Sequence, residues 1–237
     1  MLGILHQRVL DSLGAAIVQG RLAPGEVMLL DAIAGEQAVS RPVAREAVRV
    51  LQALGLVETV KRIGVRVLPP ADWNVLDPAV IHWRLGGSGS LAQLRSLTQL
   101  RAAVEPMAAG LAARAASAAQ AEELVALAGA MRAASESGDI ERFLRHDVRF
   151  HELILVSCGN EMFSRLAGVV SEVLRGHTLH EATPPGPDGV SLRLHLEVAD
   201  AVTAGDAEAA TAAMSRIATK TLAEIDTLVG DGASAEA

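Results

Sequence analysis

At 237 residues, half of them hydrophobic but only 2% aromatic, the chain is long enough for one or two domains with cores of Leu, Val, Ile and Ala, a composition that favours helices. A single cysteine excludes an intrachain disulfide framework and fits a reducing cytoplasm, and no apolar run reaches the roughly 18 residues of a membrane span. The net charge of −7 argues against a generic nucleic-acid binder, but residues 1–68 carry 8 basic and 6 acidic residues and the remainder 13 and 22, as a DNA-reading head on an acidic body would.

The chain opens on helical periodicity, with Gln7, Arg8 and Asp11 set among apolar residues between Gly3 and Leu13, which reads as a folded helix rather than a leader. That helix ends at Gly20, and Pro24-Gly25 turns the chain. Leu30 to Ala38 reads as a second short helix. A third starts near Ser40, a candidate N-cap, with Pro42 in its first turn. Arg41, Arg45 and Arg49 recur every four residues and line one side of it, while Val43, Ala47, Val50, Leu51 and Leu54 fall towards the other. Such a helix suits the major groove, where arginine forks read guanine edges and grip phosphates. Gly55 to Val60 and Val65 to Leu68 read as two strands joined by a basic tip, Lys61-Arg62-Ile63-Gly64. Three helices and a two-stranded wing predict a winged helix-turn-helix over residues 1–68.

Pro69-Pro70 stops the second strand, and both tryptophans, Trp73 and Trp83, follow in a stretch read as an ordered connector over 69–89 that ends in Gly86-Gly87-Ser88-Gly89. Residues 90–229 predict an all-helical bundle, with helices near 91–116, 118–136, 140–157, 161–182, 190–204 and 206–229. Ser90 to Gln93 and Ser117 to Gln120 match capping boxes. Thr183 to Pro187 reads as a rigid loop, and 230–237 as a flexible tail. The expected fold is therefore mainly α, a winged helix-turn-helix followed by a helical bundle.

Within the bundle, Asp147 and His151 are one helical turn apart and can share a divalent ion, and His195 lies between leucines on another helix. The residues alone favour a buried ion pair plus an unrelated core histidine. Arg101, in an apolar helix, demands an anion if buried; Glu105, one turn on, is a structural candidate. His177 and His180, three apart, face either the cavity or solvent.

Several motifs at fixed offsets make the first 68 residues resemble the GntR family of bacterial transcription regulators: Ile17-x-x-Gly20-x-Leu22-x-Pro24-Gly25, Val39-Ser40-Arg41-x-x-x-Arg45-Glu46-Ala47 and Gly55-Leu56-Val57. The second helix departs from the family's glutamate-arginine-glutamate start, with Asp31 and Ala32 in its place. The resemblance implies a homodimer reading an inverted-repeat operator in double-stranded DNA. Arg41, Arg45 and Arg49 would reach bases or phosphates, and Ser40, Lys61, Arg62 and Gly64 the backbone or minor groove. From residue 90 the order Arg101 to Pro106, Asp147-x-x-x-His151, Asn160, His195 and Gly205-Asp206 resembles the FCD effector domain of the FadR branch. That resemblance implies a divalent ion, zinc for choice, on Asp147, His151 and His195, and an effector contacted by Arg101, Arg149 and Asn160. The histidine that metal-binding members bring on the last helix is missing: Ser215-Arg216-Ile217 follows Met214. The connector, Trp73-Asn74-x-Leu76-Asp77 to Trp83, is similar to that of sugar-acid regulators. The chain is thus expected to be a cytoplasmic, ligand-responsive repressor of a sugar-acid operon, released from DNA by a small hydroxy-carboxylate and not an enzyme. The alternative from another class is a metal-dependent hydrolase using Asp147, His151 and His195.

Overall fold

The computed structural model describes residues 2–87, 89–179 and 189–235 and divides into two compact units, Met1–Ser90 and Leu91–Ala237. In the first unit, α1 (Leu2–Val18), α2 (Leu30–Glu36) and α3 (Arg41–Ala53) pack around Leu13, Ile17, Ile33, Ala47 and Leu51. The apolar positions of α3 recur at three- and four-residue steps, so one face is buried while Arg41, Arg45 and Arg49 stay exposed. Ser40 adopts the extended backbone of an N-cap, but its side chain caps nothing. Pro42 at the second helical position has no N–H, which removes one of the two donors a capping oxygen reaches.

The wing is a three-stranded antiparallel sheet of β1 (Val27–Met28), β2 (Val57–Val60) and β3 (Gly64–Val67) in the order β1-β3-β2. Val57 faces Val67, Val60 faces Gly64, and Val27 faces Arg66. β1 was not expected, since two residues carry no alternation to read. Gly55, which separates α3 from β2, has φ +73°, and a Cβ there would strike the carbonyl of Asp72.

Residues 70–85 belong to the first unit. α4 (Pro78–Leu85), capped by Asp77, places Trp83 against α1, where its indole donates to Asp11 at 3.0 Å. Gly14 makes the room: a Cβ at that position would lie 2.5 Å from the Trp83 ring. Trp73 packs on the same core and donates to the carbonyl of Leu68.

The second unit holds α5 (Ser90–Ala115, with Pro106 inside it), α6 (Ala118–Glu136), α7 (Ile140–Ser157), α8 (Glu161–Ser164), α9 (Ala167–Leu179), α10 (Gly189–Ala204) and α11 (Ala207–Ala235). The capping box at Ser117 is formed in both directions, whereas Ser90 is the first residue of α5 itself. The single helix expected over 161–182 is two, because Asn160 caps the one-turn α8 and the chain turns again at Arg165 and Leu166. α11 runs through most of the segment expected as a tail. His180, the side chain of His177 and the loop at 183–187 lie outside the described residues. Alanines on α5, α6 and α11 let the helices approach closely around Phe150, Ile154, Leu155 and Met214, all buried. Among the described residues, no helix is long and apolar enough to cross a membrane.

Candidate functional site

Two surfaces carry chemistry. The first is the exposed side of α3 with the wing tip. Arg41, Arg45, Arg49, Lys61 and Arg62 are all exposed, as is Ser40, while Gly64 is half-buried at the start of β3. Arg62 takes the left-handed region, φ 64°, which closes the short turn between β2 and β3. Arg49 pairs with Glu46 on its own helix at 2.8 Å. Arg41 is held from α2, its Nε 2.6 Å from Asp31 Oδ1. Arg45 makes no ion pair among the described residues.

The second lies inside the helical unit. Asp147 and His151, four residues apart on α7, meet His195 of α10. Asp147 Oδ1 lies 3.1 Å from His195 Nε2 and 3.6 Å from His151 Nε2, and the two Nε2 atoms are 3.3 Å apart. Phe150 closes one side, edge-on to both imidazoles, and both histidines are 1–2% exposed. Their far nitrogens both face acceptors. His195 Nδ1 donates to the carbonyl of Ser191 at 2.8 Å. His151 Nδ1 sits 3.1 Å from Glu105 Oε2 on α5, off the hydrogen-bond axis.

Those partners decide the protons. A carbonyl and a carboxylate only accept, so both imidazoles keep a proton on Nδ1 and turn the Nε2 lone pair inwards. Two lone pairs and a carboxylate oxygen then converge in a nearly dry space, an arrangement that needs a cation at its centre, either an extra proton or a metal ion. Tetrahedral zinc, with bonds of roughly 2.0–2.2 Å, separates its ligand atoms by roughly 3.3–3.6 Å, and the three observed separations bracket that range. The donor set therefore fits a divalent ion with an open position for another ligand. On α11, Met214 and Ile217 are buried and apolar where a third histidine, the fourth ligand, was sought.

Glu105 ties the cluster to Arg101. Its carboxylate accepts from Arg101 Nε at 2.9 Å and Nη2 at 3.2 Å, with both side chains at most 3% exposed. Burial alone would raise the Glu105 pKa; the guanidinium of Arg101 and the facing His151 outweigh it and hold the carboxyl at about 2. Asp147 shows the same contest. Burial works upwards, but with the extra proton in the cluster the hydrogen bond from His195 Nε2 and the charges of His151, His195 and Arg101 outweigh it and keep the carboxyl below its ordinary value.

Of the residues expected to face an effector, only Arg101 is near the ligand cluster, and Glu105 occupies two of its nitrogens, leaving Nη1 to other partners. Arg149 turns to the surface and pairs with Glu123 at 2.8 Å, because two residues beyond Asp147 is the opposite side of a helix. The Asn160 side chain accepts from the backbone of Met162 and Phe163. The contact of Glu105 with His151 escaped sequence reading; only the packing of α5 against α7 reveals it.

The same two segments carry family resemblance. The model of the bacterial regulatory proteins, gntR family, matches residues 5–67, and that of the FCD domain matches 96–220. Among curated proteins, the galactonate operon transcriptional repressor of Escherichia coli is 31% identical over 219 residues, covering 90% of this chain and 94% of the relative. The transcriptional regulator YieP of the same organism, itself uncharacterized, is 31% identical over 201 residues, covering 84% and 86%. Among solved structures, McbR/YncC of E. coli aligns with a TM-score of 0.55 at 20% identity over 95% of this chain and 98% of that one, a likeness of fold.

Proposed function

The chain belongs to the gntR family of bacterial regulatory proteins, with an FCD domain as its second half, and from that premise we propose that it is a homodimeric repressor of a sugar-acid operon whose effector binds a divalent ion in the helical unit. It is a ligand-responsive, DNA-binding transcriptional regulator and not an enzyme. The hydrolase alternative finds no support, since the curated relatives above are regulators of transcription.

The observation that carries the effector half of this reading is the convergence of three acceptor atoms, Asp147 Oδ1, His151 Nε2 and His195 Nε2, inside the bundle. A divalent ion there keeps at least one position for a ligand oxygen. A carboxylate with an adjacent hydroxyl suits such an ion, and Arg101, with Nη1 uncommitted, supplies a second positive group nearby. An aldonate-type sugar acid combines both features, and the similarity to a galactonate operon repressor points the same way. Arg149 and Asn160 would contribute only if the surroundings of the cluster rearranged.

In the DNA-bound state Arg41 and Arg45 would reach base edges or adjacent phosphates, with Arg49, Ser40, Lys61, Arg62 and Gly64 along the backbone or the minor groove. The effector acts to the extent that it binds the released form more tightly than the DNA-bound form. The test is a thermal-shift screen of sugar acids and simple hydroxy-carboxylates against zinc-loaded and chelator-treated protein. A stabilisation that needs both the ion and the hydroxy-acid is expected; equal shifts in the two preparations would remove the ion from the reading.

A further inference from the structure

Of the three arginines along α3, only Arg41 is gripped from another helix. Its Nε lies 2.6 Å from Oδ1 of Asp31 on α2, and 61% and 68% of the two side chains remain exposed. Exposed pairs of this kind add at most about 1 kcal/mol to a fold, so stability is a poor account of a carboxylate set among the cations that face DNA. What the contact does is directional. A free arginine samples many rotamers and grips whichever phosphate it meets. With Asp31 on the Nε edge, the guanidinium keeps its terminal fork, Nη1 and Nη2, for one direction only. The same carboxylate repels the sugar-phosphate backbone, whereas a guanine presents two acceptors, O6 and N7, that match the fork.

We propose that Asp31 is a specificity-determining residue that acts through Arg41, aiming its fork at a base edge and away from phosphate. The structure supports a division of labour: Arg41, aimed by Asp31, reads sequence, whereas Arg45, unpaired among the described residues, is free to serve base or phosphate. The proposal rests on Arg41 being a DNA contact.

The probe is the duplex that the full-length wild type selects from a random library, compared with a scrambled duplex of equal length and composition. Affinities are measured by fluorescence anisotropy across a salt series for wild type, Asp31→Ala, Arg41→Ala and the double variant, with melting temperatures as a control for folding. In Asp31→Ala, discrimination between the two duplexes should fall about five- to tenfold, a fraction of what one good base contact supplies. Affinity for the scrambled duplex should rise, with a salt slope steeper by up to about one unit as Arg41 turns to a phosphate. In the Arg41→Ala background, removing Asp31 should leave discrimination unchanged. Equal discrimination in wild type and Asp31→Ala would overturn the proposal, as would a loss of the same size in both backgrounds, which would make Asp31 a base reader in its own right. If Arg41→Ala itself binds both duplexes as the wild type does, it is the reading of Arg41 as a DNA contact that fails.

Discussion

His151 and His195 stand 44 positions apart in sequence, on different helices, yet their Nε2 atoms face each other at 3.3 Å. With both Nδ1 atoms facing acceptors, each ring presents a lone pair to the other and to Asp147, and a cation is the simplest resolution. Protein purified without chelators should therefore carry about one divalent ion per chain, measured by elemental analysis. His151→Ala and His195→Ala should each lose most of it. Failure of the wild type to take up zinc or manganese would leave the cluster as a structural contact between α7 and α10.

Glu105 extends the cluster. Substituting a carboxylate that steadies a ligating histidine typically lowers metal affinity by about 10–100-fold, and Glu105→Gln should fall in that range in a competition titration with a fluorescent chelator.

The same residue gives the chelated protein an acid limb. The folded pKa of Glu105, about 2, lies below its ordinary 4.5, so the unfolded chain takes up the proton first. The stabilisation is full above about pH 4.5 and is lost as the pH falls through 2, and it amounts to about 3 kcal/mol on a linkage argument. Urea unfolding of metal-free protein at pH 5 and pH 3 should show a drop in the wild type that is smaller in Glu105→Gln. Parallel pH dependence in the two would assign the acid limb to other carboxylates.

How much of this was legible beforehand follows from the range of each signal. The winged helix-turn-helix is written in local spacing: arginines every four residues on α3, the Gly55 stop and the valines alternating along β3. Asp147 and His151 were legible as a pair for the same reason, being one helical turn apart. His195 joined them only through resemblance. What stayed hidden depends on side chains meeting across helices: Glu105 against His151, Asp31 against Arg41, and Trp83 seated over Gly14. Arg149 and Asn160 show that a position near a motif does not fix a direction. One is turned outwards by helical periodicity, and the other caps α8 with its side-chain oxygen.

On the proposed DNA-reading surface, Arg45→Ala should cost on the order of 1–3 kcal/mol at the selected duplex if Arg45 meets a base. A merely uniform weakening on all duplexes would make it a phosphate contact. Unchanged affinity in the double variant Arg41→Ala, Arg45→Ala would remove α3 as the reading helix.

Trp83 covers Gly14 so closely that even one methyl group has no space. Gly14→Ala should destabilise the first unit by about 1–3 kcal/mol, the usual scale for an overpacked contact. Chemical unfolding followed by tryptophan fluorescence checks it, and a neutral or stabilising outcome would mean that the ring shifts freely.

The most direct measurement of the central claim is release of the selected duplex by a panel of aldonates and simple hydroxy-carboxylates, read by fluorescence anisotropy on zinc-loaded protein, on chelated protein and on His195→Ala. The expected result is release by at least one sugar acid from the loaded wild type, with the response lost or much weakened in the other two. Release of equal size from all three preparations, or none from any of them, would contradict an effector that binds through an ion held by Asp147, His151 and His195.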